Sequence, residues 1–248
     1  MIYIYHHLGL GDHIVCNGLV RYLYKEHGYV TLFCYNHNLK NLQYMYRDLE
    51  NLTLLPMGSD NEIMNFINSN KIKVYKIGFE KMGKFYHNNT FDKAFYDIVG
   101  LDFNVRYDNF FLKRDDEIES LVYNQLNPNN EKYIFVHDDP SRGFSINPEK
   151  HRSDLKIIKN DKRFNIFEMM KIYENAEEIH FMESSISALL NSFIIKDVKL
   201  FLHKYVRNYD DFGYTKSKNN IIIINSLKKL DQFKLGDKFS SCFTLILL

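Results

Sequence analysis

Four residues able to move or hold a proton crowd one short stretch. His6, His7, Asp12 and His13 flank Gly9-Leu10-Gly11 within Y-H-H-L-G-L-G-D-H-I-V-C-N-G-L-V-R, residues Tyr5 to Arg21. A β-rich run, Met1–Tyr5, precedes them and a helical pattern follows. A strand–glycine turn–helix unit sets polar groups at the carboxyl end of a strand, where open α/β sheets bind ligands. Asp12 is then either the helix N-cap or a reactive carboxylate. With imidazoles beside it, a base and the group that orients it are both available. The motif is not a dinucleotide fingerprint, because G-x-G-x-x-G would need a glycine where Ile14 stands. An ordinary strand–helix connection fits the same residues.

Two further stretches carry chemistry. V-H-D-D-P-S-R-G-F, Val136 to Phe144, follows a strand pattern. Ser141 and Arg142 suit a diphosphate, since a guanidinium offers fixed and permanently charged donors to phosphate oxygens. Asp138 and Asp139 suit a divalent metal on a nucleotide diphosphate instead. A solvated loop is the plain alternative. In F-M-E-S-S-I-S-A-L-L, Phe181 to Leu190, Glu183 ends a strand and Ser184-Ser185 open a helix. Hydroxyls and backbone N–H groups there can hold phosphate, and the carboxylate can accept from ribose hydroxyls. Simple N-capping explains the serines equally well.

The elements that must position these residues alternate. Strands are expected at Met1–Tyr5, Tyr29–Tyr35, Leu52–Pro56, Ile72–Ile77 and Tyr107–Leu112 in the first half. Helices are expected at Asp12–Glu26, Leu39–Leu49, Glu62–Asn68, Phe91–Val99 and Asp115–Leu126. Asn127-Pro128-Asn129-Asn130 is the strongest punctuation, and places a boundary between an N-terminal α/β domain, residues 1–128, and a C-terminal one, 129–248. The second half repeats the rhythm, with strands at Lys132–His137, Glu178–Met182, Val198–His203 and Ile221–Asn225, and helices at Ile166–Glu174 and Ile186–Phe193. The pattern predicts mostly parallel sheets flanked by helices. The apolar end, Phe239–Leu248, reads as a terminal element packing on the body and is too short to span a bilayer.

The totals narrow the function classes. A formal net charge of +1 with no basic stripe argues against a nucleic-acid partner. Three widely spaced cysteines, Cys16, Cys34 and Cys242, fit neither a disulfide framework nor a zinc site. With neither a signal-peptide pattern nor a membrane-length apolar run, a cytoplasmic protein without a stable membrane span is expected.

In this order, the three constellations resemble glycosyltransferases of the GT-B fold, nearest to the heptosyltransferase-like group and more loosely to fucosyltransferases. The resemblance covers about residues 1 to 200. It implies two Rossmann-like domains facing a cleft. In that group a G-D pair at the first strand–helix turn supplies the catalytic carboxylate, and here the pair is Gly11-Asp12. The resemblance makes Asp12 the general base, with Gly9, Gly11 and His13 on the acceptor side. It assigns His137, Ser141, Arg142, Glu183, Ser184 and Ser185 to the nucleotide-sugar donor. Where the family carries a glycine and a histidine in the third element, this chain has Ser185 and, at or near the second place, Leu189. No heptose donor is therefore carried over.

The implied activity is an inverting, metal-independent transfer of a sugar from a nucleotide-diphosphate donor to a hydroxyl acceptor in glycan biosynthesis. No cofactor and no metal are expected. Two alternatives stay open: a metal-dependent glycosyltransferase using Asp138 and Asp139, and a catalytically silent nucleotide- or sugar-binding module.

Overall fold

A computed structural model describes residues 1–81, 90–140, 143–146, 154–204 and 219–225. The described chain forms two parallel sheets. In the first, β1 (Ile2–His6), β2 (Val30–Tyr35), β3 (Leu52–Met57) and β4 (Val74–Ile77) lie in the order β3-β2-β1-β4. In the second, β5 (Tyr133–His137), β6 (Lys156–Lys159), β7 (Glu178–Met182), β8 (Lys199–Lys204) and β9 (Ile221–Asn225) lie in the order β6-β5-β7-β8-β9. Every pairing between these strands is parallel. The α/β reading of the sequence is thus realised twice. The central strands read as near-continuous apolar runs because helices cover both faces of a parallel sheet. All of β7 is buried, as is β5 up to Val136.

The chain divides into two compact units. The first holds Met1–Ile118 together with Asn165–Glu168. The second holds Glu119–Phe164 and resumes at Met169.

The helix expected over Asp12–Glu26 is two helices, α1 (Leu10–Val15) and α2 (Asn17–His27), interrupted at Cys16 with ψ 0°. Gly28 ends α2 with φ 74°, and its N–H donates to the Tyr24 carbonyl, a C-terminal stop that suits glycine. Helices α3 (Leu39–Met45) and α4 (Asp60–Ser69) connect the following strands. Ser59 caps α4 by accepting from the Glu62 N–H, and Ile63 and Ile67 pack on Tyr5, Phe33 and Met57. After β4 come α5 (Phe91–Ile98), α6 (Val105–Asp108) and α7 (Asp116–Leu126). The second unit adds α8 (Met170–Glu174) and α9 (Ser185–Ser192).

The strand expected at Tyr107–Leu112 does not form. Its first residues belong to the helical turn α6, and no strand runs through the rest. The reason is tertiary. Arg106 is buried and pairs with the buried Asp92 of α5, and the turn packs against α2. The helix expected over Ile166–Glu174 is regular only in its last turn, α8. Strand β6 carried almost no sequence signal: it is a four-residue edge strand, K-I-I-K, bounded by lysines as exposed edges commonly are. The tail Phe239–Leu248 and Cys242 lie outside the described residues. No helix among the described residues is long and apolar enough to cross a membrane.

Candidate functional sites at two topological switch points

Strand order locates the places where a ligand can enter. In the first sheet the chain runs outward from β1 through β2 to β3, then returns to place β4 on the other side of β1. In the second it runs from β5 to β6, then places β7 on the other side of β5. In open α/β sheets such a reversal is where connections splay apart and ligands bind, outside the carboxyl ends of the strands. One switch point lies between β1 and β4, the other between β5 and β7. The first sequence constellation follows β1. The second and third follow β5 and β7.

At the β1/β4 end, the structure sorts the four titratable residues. His6 and His13 are fully buried, with ring centroids 4.5 Å apart. Burial lowers His6 to a pKa of about 4 and takes His13 well below its ordinary value, with His6 adding to the effect on His13. His6 Nδ1 lies 2.5 Å from the His7 carbonyl oxygen. Only an N–H can donate there, so the proton sits on Nδ1. His13, read from the sequence as an acceptor-side residue, lies fully buried in the core. His7 is half-buried and packs among Phe79, Phe91 and Phe95.

Asp12 is not the N-cap. That place belongs to Gly9, and Asp12 lies in the first turn of α1, half-exposed. Gly9 has φ −62° and ψ 145°, which any residue adopts, so the backbone there does not demand glycine. The demand comes from the carboxylate: a β-carbon on Gly9 would stand 2.7 Å from Asp12 Oδ2. Gly11 lies within α1. The sharp glycine turn expected here is instead a helix start kept clear of side chains. Cys16, one turn beyond Asp12, has its thiol raised well above the usual value, first by burial and then by the Asp12 charge.

At the β5/β7 end, His137 closes β5, half-buried, in register with Phe181 of β7. Glu183 follows two residues later and is buried, with 6% exposure. Ser184 is the N-cap of α9: its hydroxyl accepts from the Ile186 N–H at 3.2 Å. Ser187 Oγ closes the reciprocal box by accepting from the Ser184 N–H at 3.1 Å. Ser185 is the first helical residue and half-exposed. The structure therefore brings His137, Glu183, Ser184 and Ser185 to one sheet end. Ser141 and Arg142 lie outside the described residues. On either side of them, Asp139 and Phe144 exchange two backbone hydrogen bonds of 3.0 Å.

The chemistry of Asp138 bears on the metal alternative. Its Oδ2 accepts from Lys159 Nζ at 2.9 Å and faces the Ile146 N–H at 3.4 Å. Among the described residues, no three His, Cys, Asp or Glu side chains are grouped to hold a metal ion.

Sequence comparison finds no matching family model and no matching curated protein. Structure comparison finds matches. A glycosyl transferase family 9 structure from Veillonella parvula superposes with a TM-score of 0.59 at 9% identity, covering 93% of this chain and 87% of that one. An E. coli ADP-heptose LPS heptosyltransferase II superposes with a TM-score of 0.50 at 10% identity, covering 90% of each chain. At such identities the likeness establishes the fold.

Proposed function

We propose that this chain is an inverting, metal-independent glycosyltransferase of the GT-B type, which moves a sugar from a nucleotide-diphosphate donor to a hydroxyl acceptor. One observation supports the reading: Asp12, His137, Glu183, Ser184 and Ser185 follow or close strands β1, β5 and β7, which border the two topological switch points of a fold shared over most of its length with a glycosyl transferase structure. The β5/β7 end is the donor side. There Glu183 accepts from ribose hydroxyls, and Ser184, Ser185 and the α9 N–H groups meet the diphosphate, with His137, Ser141 and Arg142 completing the set. The β1/β4 end is the acceptor side.

In the reaction the acceptor oxygen attacks the anomeric carbon. Asp12 takes the hydroxyl proton as the new C–O bond forms. The bond from the anomeric carbon to the diphosphate oxygen breaks, and its electron pair leaves with the nucleotide. One displacement inverts the centre. Arg142 and the α9 amides supply the positive charge that the leaving diphosphate requires. The Asp138–Lys159 ion pair supports metal independence, since a carboxylate already compensated by an ammonium is a poor cation ligand.

The test is a thermal-shift panel of nucleotide-diphosphate sugars with and without a strong chelator, followed by transfer assays on Asp12→Asn. A donor that binds the native state raises Tm. The substitution is expected to cut transfer by roughly 100- to 10,000-fold with donor binding retained. No shift with any donor sinks the proposal. Loss of activity in chelator transfers the assignment to the metal-dependent alternative.

A further inference from the structure

His7 sits at the β1/β4 switch point with one ring nitrogen committed. The Phe79 N–H donates to His7 Nε2 at 2.9 Å. A nitrogen that accepts a hydrogen bond carries no proton, so the imidazole proton must lie on Nδ1. Two further features hold this arrangement. Phe79 has φ 56°, a left-handed conformation that a bulky side chain takes only under constraint. Gly78, at φ 102°, leaves no room for a side chain, since a β-carbon there would stand 2.8 Å from the His7 ring. The His6 Nδ1–H fixes the His7 carbonyl from the other side. Thus β1 and β4 are tied at their ends through one histidine whose tautomer is set.

The other nitrogen remains available. Among the described residues Nδ1 has no hydrogen-bond partner, and unlike the free nitrogens of His6 and His13 it is not closed off from solvent. Half-buried Phe79 and Phe91 rings pack against the His7 ring, at centroid distances of 4.8 and 5.5 Å. A neutral donor on a ring set beside aromatic side chains matches a glycoside, which offers an apolar C–H face rimmed by hydroxyl oxygens.

We propose that His7 Nδ1–H donates a hydrogen bond to a hydroxyl oxygen of a neutral glycoside acceptor, with the Phe79 amide holding the ring in the tautomer that permits it. This rests on the transferase reading for the word acceptor, and on the β1/β4 geometry for the binding. Burial also keeps the ring neutral, outweighing the opposing charge of Asp60. The role is one of binding and orientation, so it is distinct from proton removal by Asp12.

The test uses the full chain with 15N-labelled histidine. Methyl glycosides of glucose, galactose and N-acetylglucosamine serve as probes, without nucleotide. The expected spectrum shows His7 protonated on Nδ1, and at least one glycoside moves that resonance. His7→Gln keeps an acceptor at the ε position for the Phe79 N–H but displaces the donor. It should keep the wild-type Tm and bind the same glycoside about tenfold more weakly, as for one neutral hydrogen bond. His7→Phe removes both contacts and should lower Tm as well. Protonation on Nε2, no response to any glycoside, or unchanged glycoside affinity in His7→Gln each overturns the proposal. Failure here leaves donor-induced stabilisation intact. Conversely, a glycoside response with no donor response retains His7 as a sugar ligand and removes the transferase reading.

Discussion

The carboxylate of Asp12 lies back over Gly9, so close that a β-carbon on Gly9 would stand 2.7 Å from Oδ2. Because Gly9 has ordinary extended dihedrals, Gly9→Ala separates two effects that usually travel together. The backbone tolerates alanine, and the atom that must move is the end of a side chain. Stability should change by less than about 1 kcal/mol. Transfer should fall by up to about 100-fold, because a base displaced by an ångström loses its alignment. Urea unfolding read beside a transfer assay checks the pair of outcomes. A large loss of stability, or full activity, contradicts the placement of the carboxylate.

Acid should destabilise the first unit through its histidines. Burial lowers His6 to about 4 and brings His7 and His13 below the ordinary 6.5. A histidine depressed in the native state is protonated first in the unfolded chain. Its contribution is therefore complete above about pH 6.5 and is lost as pH falls, down to about 4 for His6. The slope is at most about 1.4 kcal/mol per pH unit for each such histidine. Denaturant unfolding from about pH 7 to pH 5 should show the decline, and a His6→Phe variant should show a shallower one. A flat profile contradicts the burial of His6 and His13.

Asp92 and Arg106 form a buried ion pair, 3% and 1% exposed. Asp92 also accepts from Thr90 Oγ1 at 2.5 Å and from the Lys93 N–H at 2.9 Å. Asp92→Asn strands a guanidinium without compensation and should cost about 3–5 kcal/mol. Replacing both partners with leucine should cost less, since no buried charge remains. Chemical denaturation of the two variants side by side gives the comparison.

Gly18 presents a different glycine requirement. A β-carbon there would meet the carbonyl oxygens of Arg106 and Val105 at 2.5 and 2.6 Å. These are backbone atoms and cannot swing aside, so α2 and α6 must separate. Gly18→Ala should cost about 1–3 kcal/mol, whereas Gly9→Ala should cost little. Equal Tm losses in the two variants would show that neither contact is as described.

Much of the framework was legible in residue order. Strand β5 was readable from Y-I-F-V-H, because buried parallel strands read as apolar runs, and β9 from the β-branched run I-I-I-I-N. Gly28 marked the end of α2, since a left-handed stop favours glycine. Strand β6 was not legible, because a short edge strand between lysines has no apolar run to betray it. Where a strand is expected at Tyr107–Leu112, the chain instead begins in the helical turn α6, whose Arg106 pairs with the buried Asp92.

At the sites, sequence alone determined which residues could do chemistry and which strands they follow, because spacing along a chain fixes an element's end. Tertiary structure decided their roles. The placing of β4 beside β1 made a switch point and buried His13 and His6, leaving His7 at its edge. It moved Asp12 from the cap into the first turn and gave Gly9 the task of clearing space for it. Those outcomes depend on which face of a turn meets a neighbouring strand, and on solvent lost through packing. Neither is encoded in local periodicity.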